Sequence, residues 1–112
     1  MNEPIIIIDG DDVEIYLSVF DAQSDIEAID AMYGGFIAYD SKGNILDISV
    51  ENTDTVVISD PKRQQNNHVA LANSIREYLK YIGKNDKKTL LKSPLNELVA
   101  ELLVVYGFKR TP

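Results

Sequence analysis

The sequence predicts an α+β domain spanning 1–112: an antiparallel β-meander sheet packed against two C-terminal helices, with a short N-terminal helix. Three observations carry this. Apolar residues recur at a period of two through residues 36–59, in runs separated by turn residues. Two later segments, around 69–82 and 95–106, carry apolar residues at helical spacing. A shorter helical pattern follows Ser18. The chain has 112 residues and 45% hydrophobic content, which suits one core and is too apolar for general disorder.

In chain order, Ile5-Ile6-Ile7-Ile8 is a β-branched run that reads as a strand, stopped by a turn at Asp9-Gly10-Asp11-Asp12. Val13-Glu14-Ile15-Tyr16-Leu17 alternates and reads as a second short strand or an extended entry to the helix that follows. Ser18 then suits a helix N-cap, with Asp21 three residues on as a capping-box variant. Val19, Ala22, Ile26 and Ile29 fall on one face of that helix and Asp21 and Asp25 on the other. It is expected to end near Asp30, before Gly34-Gly35.

Phe36-Ile37-Ala38-Tyr39 reads as a strand, Asp40-Ser41-Lys42-Gly43-Asn44 as a hairpin loop with positive φ at Gly43, and Ile45–Val50 as the return strand. Leu46, Ile48 and Val50 lie on its inner face. Asn52-Thr53-Asp54 turns the chain into Thr55–Ser59. After Asp60-Pro61, a helix begins within the polar stretch Lys62–Asn67, and Val69, Ala72, Ile75, Leu79 and Ile82 form its stripe, reinforced by Leu71 and Tyr78. Gly83 is its C-cap and Lys84–Lys88 a solvated linker. Ser93-Pro94 opens the last helix, with Ser93 as N-cap; Leu95, Leu98, Val99, Leu102, Leu103 and Tyr106 pack inward, and Gly107 ends it. Val104 and Val105 widen its apolar surface, so the helix is either buried on two sides or lies at a dimer interface.

Charge is divided by position. Residues 1–60 hold fourteen acids against one base, Lys42, and net −13; residues 61–112 hold ten bases against four acids and net +6. A surface dominated by carboxylates speeds encounter with a basic protein and opposes nucleic acid and anionic membrane. The same charge also serves solubility. The absence of cysteine removes disulfides, thiolate metal sites and cysteine nucleophiles, and fits the cytosol. The N-terminus has no basic segment followed by a long apolar run, so no signal peptide or membrane span is expected.

Motifs with chemistry are few. Asp9-Gly10-Asp11-Asp12-x-Glu14 has the acids of a calcium loop but not its spacing, and a turn between strands explains it. Asp40–Asn44 has a Gly and a Lys, but a strand follows it where a phosphate loop needs a helix. His68 is the sole histidine, beside Asn66 and Asn67, with no serine motif nearby. Nothing singles out two carboxylates as a glycosidase pair. Lys84, Lys87, Lys88 and Lys92 form a basic patch that reads as linker rather than as an RNA site. No metal or other cofactor is expected. Tyr16, Tyr33 and Tyr39 lie among the acids, and tyrosine is favoured at interface centres.

The acidic start Asp9-Gly10-Asp11-Asp12-Val13-Glu14, the helical Asp25-Ile26-Glu27-Ala28-Ile29-Asp30, the hairpin Gly35–Leu46 with its Tyr-Asp-x-x-Gly turn, and the last helix Leu95-Asn96-Glu97-Leu98-Val99 with Tyr106-Gly107-Phe108 form a recognisable set. Together they resemble the small bacterial immunity proteins that accompany polymorphic and contact-dependent growth-inhibition toxins. The resemblance implies a cytosolic, non-enzymatic protein that binds a cognate toxin tightly. Many of those toxins are basic nucleases, and the immunity protein often covers the active site with acids. It transfers no toxin-contacting residue by position.

The charge and tyrosine readings therefore supply the candidates: Asp11, Asp12, Glu14, Tyr16, Asp25, Glu27, Asp30 and Tyr33. The expected function is inhibition of a cationic toxin, an RNase or another nuclease, by a monomer or homodimer whose carboxylates take the places of substrate phosphates. The alternatives are a homodimeric binding or adaptor module using the last helix and, ranked last, a small-molecule enzyme with a carboxylate pair.

Overall fold

The computed structural model describes residues 1–83 and 92–109. Five strands form one antiparallel sheet: β1 (Ile5–Asp9), β2 (Asp12–Tyr16), β3 (Ile37–Tyr39), β4 (Ile45–Glu51) and β5 (Thr55–Ser59), in the order β2-β1-β3-β4-β5. β1 and β2 form a tight hairpin from Ile5↔Tyr16 to Asp9↔Asp12, and β1 lies between β2 and β3. The expected meander of β3, β4 and β5 is present, with β4 pairing to β3 through its first residues and to β5 through the remainder.

Four helices are described: α1 (Val19–Asp25), α2 (Ala28–Tyr33), α3 (His68–Tyr81) and α4 (Leu95–Lys109). They make two layers on opposite faces of the sheet. Successive strand residues point to opposite faces, so the isoleucine run of β1 serves both. Ile6 joins Val13, Ile15 and Tyr39 under α3 and α4. Ile5 and Ile7 join Tyr16, Ala38, Leu46, Val56 and Ile58 under α1 and α2.

The first helix of the sequence reading is two helices. Ser18 is the N-cap of α1, its side chain accepting from the Asp21 amide at 3.1 Å as expected. The chain then becomes extended at Ile26 (φ −75°, ψ 125°) and Glu27 (φ −73°, ψ 136°) before α2 starts. The break resets the helical phase. Ile26, Ala28 and Ala31 now pack on the sheet, and Ile29, expected inside, is 57% exposed.

Four further expectations need correction. α3 begins at His68 rather than within 62–67, because the Asn67 side chain caps it by accepting from the Ala70 amide at 3.2 Å. Val69 is exposed because the buried face is set by Leu71, Ala72, Ile75, Tyr78 and Leu79, and Val69 lies about 200° around the helix from Leu71. α4 continues past Gly107 to Lys109, glycine being a permitted helix stop rather than an obligatory one. Its start is also shifted by one residue: the Pro94 carbonyl accepts from the Leu98 amide at 3.1 Å, so Pro94 rather than Ser93 stands at the cap. The linker read at Lys84–Lys88 lies outside the described residues.

Of the two alternatives for the last helix, burial holds over most of its girth. Leu98, Val99, Leu102 and Val105 are all buried, and Val104 is half-exposed. Leu102 has no exposed surface, so Leu102→Ala is expected to remove about 3 kcal/mol of stability. Urea denaturation measures this, and a change below roughly 0.5 kcal/mol, the scatter of surface substitutions, would put the helix phase in error.

Both sheet edges are tied to helices. On β5, the Ile58 amide donates to Gln23 Oε1 of α1 at 2.8 Å. On β2, the Val13 carbonyl accepts from the Tyr106 hydroxyl of α4. Edge groups left open would template pairing with another chain, so these contacts blunt both edges.

Candidate functional site

The predicted residues fall in three places. Asp11 and Asp12 sit at the β1–β2 turn, which closes through Gly10 at φ +60°. They form one wall of a groove of about 630 Å³ whose other wall is α3, through Asn73, Ser74, Glu77, Tyr78 and Tyr81. Tyr78 is buried behind it and Tyr81 stands at its rim, 88% exposed. Glu77 is paired with Lys80 at 3.4 Å, an exposed contact of little energetic weight.

Glu14, Tyr16 and Asp25 meet at a second place. Tyr16 is 1% exposed, so it is a core residue, correcting the expectation of a surface contact. Period two puts it on the same face of β2 as Glu14, and α1 covers that face. Its hydroxyl donates toward Glu14 Oε2 and toward Asp25 Oδ2, the latter at 2.6 Å. One hydroxyl carries one proton, so two carboxylates compete for it. Burial, then the hydrogen bonds and charges of Asp25 and Glu14, push the Tyr16 pKa far above its ordinary value, so the phenol stays protonated. Tyr106 is raised likewise, by burial first, then by Tyr78 and by the charges of Glu14 and Asp12.

Glu27, Asp30 and Tyr33 occupy a third place, on or beside α2. Glu27 is the N-cap position and Asp30 lies in the first turn, where carboxylates favour the helix dipole. All three are exposed, Tyr33 by 82%. Among the described residues the ion pairs are the Met1 amino group with Asp60 at 3.3 Å and Lys80 with Glu77. Asp11, Asp12, Asp25, Glu27 and Asp30 therefore face solvent without a cationic partner among the described residues.

One polar centre escaped the sequence reading. Asp40 has no exposed surface. Its Oδ1 accepts from the backbone amides of Lys42 at 2.9 Å and Asn44 at 3.0 Å. Its Oδ2 accepts from the Asn2 amide and the Asn2 Nδ2, both at 3.1 Å, and from Asn44 Nδ2 at 3.0 Å. Burial alone would raise its pKa, but the hydrogen bonds from Asn44 and Asn2 outweigh that and hold it below the ordinary carboxylate value. An aspartate opening a turn ahead of Lys-Gly-Asn is the available signal, since such side chains bond the backbone two residues on. Asp40 organises the loop and offers nothing to a ligand.

His68 also has a local role. Its Nδ1 lies 2.9 Å from Asn66 Oδ1, an amide oxygen rather than a carboxylate. Among the described residues no three histidine or acidic side chains are grouped to hold a metal ion. No described helix is long and apolar enough to cross a membrane. No protein-family model, curated protein or solved structure matches the chain.

Proposed function

We propose that this chain is a cytosolic immunity-type inhibitor that binds a basic toxin domain, a nuclease, and neutralises it by occupying its cationic active site. The observation that carries the reading is the set of solvent-facing carboxylates at Asp11, Asp12, Asp25, Glu27 and Asp30, with no cation against them among the described residues. Unneutralised carboxylates on a folded surface raise the encounter rate with a cationic protein and can stand in for substrate phosphates against its Lys and Arg side chains. The Glu14–Tyr16–Asp25 cluster supports the same use, because its two carboxylates share one proton and a guanidinium would satisfy both. The rival homodimer through the last helix is less favoured, since α4 turns Leu98, Val99, Leu102 and Val105 into the chain's own core.

Stoichiometry tests the proposal. Purified chain is titrated into basic toxin-domain candidates encoded by neighbouring genes, with RNA cleavage as the readout. Protection is expected to saturate near one chain per toxin, and association to slow steeply as salt rises from low ionic strength to about 0.15 M, where charges beyond roughly 8 Å are screened. Time-dependent protection at far lower ratios would mean that the chain destroys rather than blocks its target. Association indifferent to salt would remove the electrostatic mechanism.

A further inference from the structure

We infer that the outward side of the α1–α2 layer is the docking face, and that its occupant is a protein surface with an apolar centre ringed by lysine and arginine. The inference rests on the inhibitor reading and names the face that reading requires. Ten large apolar side chains are exposed among the described residues, and four of them, Phe20, Ile29, Met32 and Tyr33, lie on the two short helices α1 and α2. Exposure this concentrated marks an interaction surface, whereas scattered apolar residues need no explanation.

The placement follows from the helices. α1, α2 and the break between them turn small or branched residues, Ala22, Ile26, Ala28 and Ala31, onto the sheet. Their other sides carry Phe20 on α1 and Ile29, Met32 and Tyr33 on α2 into solvent. Aromatic and methionine side chains are the types enriched at the centres of interfaces. Beside the C-terminal end of α2 lies a depression of about 240 Å³, bordered by Ala31, Gly34, Phe36, Ile37 and Ile48 among others. Anchoring side chains at interfaces seat in pockets of this kind.

Charge decides the occupant. Residues 17–37 include Asp21, Asp25, Glu27 and Asp30 and no Lys, Arg or His. A second copy docked isologously would set these carboxylates against themselves, and an anionic lipid surface would meet the same repulsion. A cationic protein satisfies both the apolar centre and the acidic rim. The groove at Asp11 and Asp12 has the charge but not this concentration of exposed apolar side chains.

The test uses the full chain and the basic domain found in that titration, in a catalytically inactive form, with affinity read by titration calorimetry. Tyr33→Ala and Met32→Lys alter side chains that are 82% and 65% exposed, so their thermal midpoints should match the native chain. Each is expected to weaken binding by roughly thirtyfold or more, the size of a central interface contact. The double variant Asp11→Asn, Asp12→Asn removes two of the proposed binding carboxylates and should weaken binding less than either α2 variant, since charges outside the centre of an interface act mainly on association rate. If the two α2 variants bind like the native chain while the hairpin variant does not, the docking face is the groove, and the inhibitor reading survives. If the native chain sediments as a dimer that Met32→Lys dissociates, the occupant is a second copy and the inference fails. If the native chain binds no basic domain encoded beside it, the inference and the inhibitor reading fall together.

Discussion

Asp40→Ala is expected to destabilise the protein by roughly 3–5 kcal/mol, because it orphans five donors at once and hydrogen bonds to a charged group are the stronger ones. Those donors come from Asn2, Lys42 and Asn44, so the loss detaches the segment before β1 from the β3–β4 loop. The backbone bonds around the site depend on the same geometry: the Ser41 amide donates to the Asn2 carbonyl at 2.8 Å and the Asp40 amide to the Asn44 carbonyl at 2.9 Å. Asp40→Asn keeps the shape but turns an amino group toward donors, and should lose a smaller amount.

The pH dependence has a definite sign. Asp40 has a lowered pKa in the folded chain, so folding favours its charged form. Its contribution is fully present above the ordinary aspartate value of about 3.9 and is lost as pH falls through the depressed native value. The stability difference between the native chain and Asp40→Asn should therefore be constant from neutral pH to about 5 and shrink below about 4. Urea melts of both proteins at neutral pH and near pH 3 measure it. A difference that survives acidification unchanged would mean that the carboxylate is not charged in the folded protein.

The elements most legible in the sequence were those fixed by local chemistry. Ser18 had to cap a helix, Gly43 had to turn left-handed, and alternation over 45–59 had to make strands, because each depends only on near neighbours. The break between α1 and α2 was hidden for the opposite reason. No glycine or proline marks Ile26-Glu27, and the extended backbone there lets Ile26 reach the sheet, a tertiary demand that overrides helical spacing. Tyr16 shows the same limit in the site. Its alternation with Glu14 was readable, but whether that face met solvent depended on where α1 would lie. The candidate carboxylates were readable as exposed charge, whereas the exposure of Met32 and Tyr33 beside them depends on where α2 begins after the helical break. Asp40 was hidden because two of its five donors come from Asn2, far away in sequence.

Gly43→Ala is expected to cost roughly 3–5 kcal/mol, well above the roughly 1–2 kcal/mol of placing an L-residue in the left-handed region. The turn needs that region, with φ at +86°. A second constraint could not be seen in the sequence. A Cβ at Gly43 would lie 2.5 Å from His68 Cα, 2.6 Å from His68 Cβ and 2.8 Å from His68 N. These are mostly backbone atoms opening α3, and they cannot yield separately. The Asn67 amide donates to the Gly43 carbonyl at 2.9 Å, the Ile45 amide donates to the Gln65 carbonyl at 2.8 Å, and Asn66 Nδ2 bonds Lys42 O and Asn44 Oδ1. The loop and the start of α3 are thus locked together, and relief of the clash would break several bonds that hold α3 against the hairpin. Gly34→Ala is the matched control. Gly34 also has positive φ, +67°, but a Cβ there meets nothing within 4 Å, so its variant should show the conformational cost alone. Denaturant melts of the two variants side by side isolate the steric part. If Gly43→Ala costs no more than Gly34→Ala, the close approach of His68 is not a constraint on the fold.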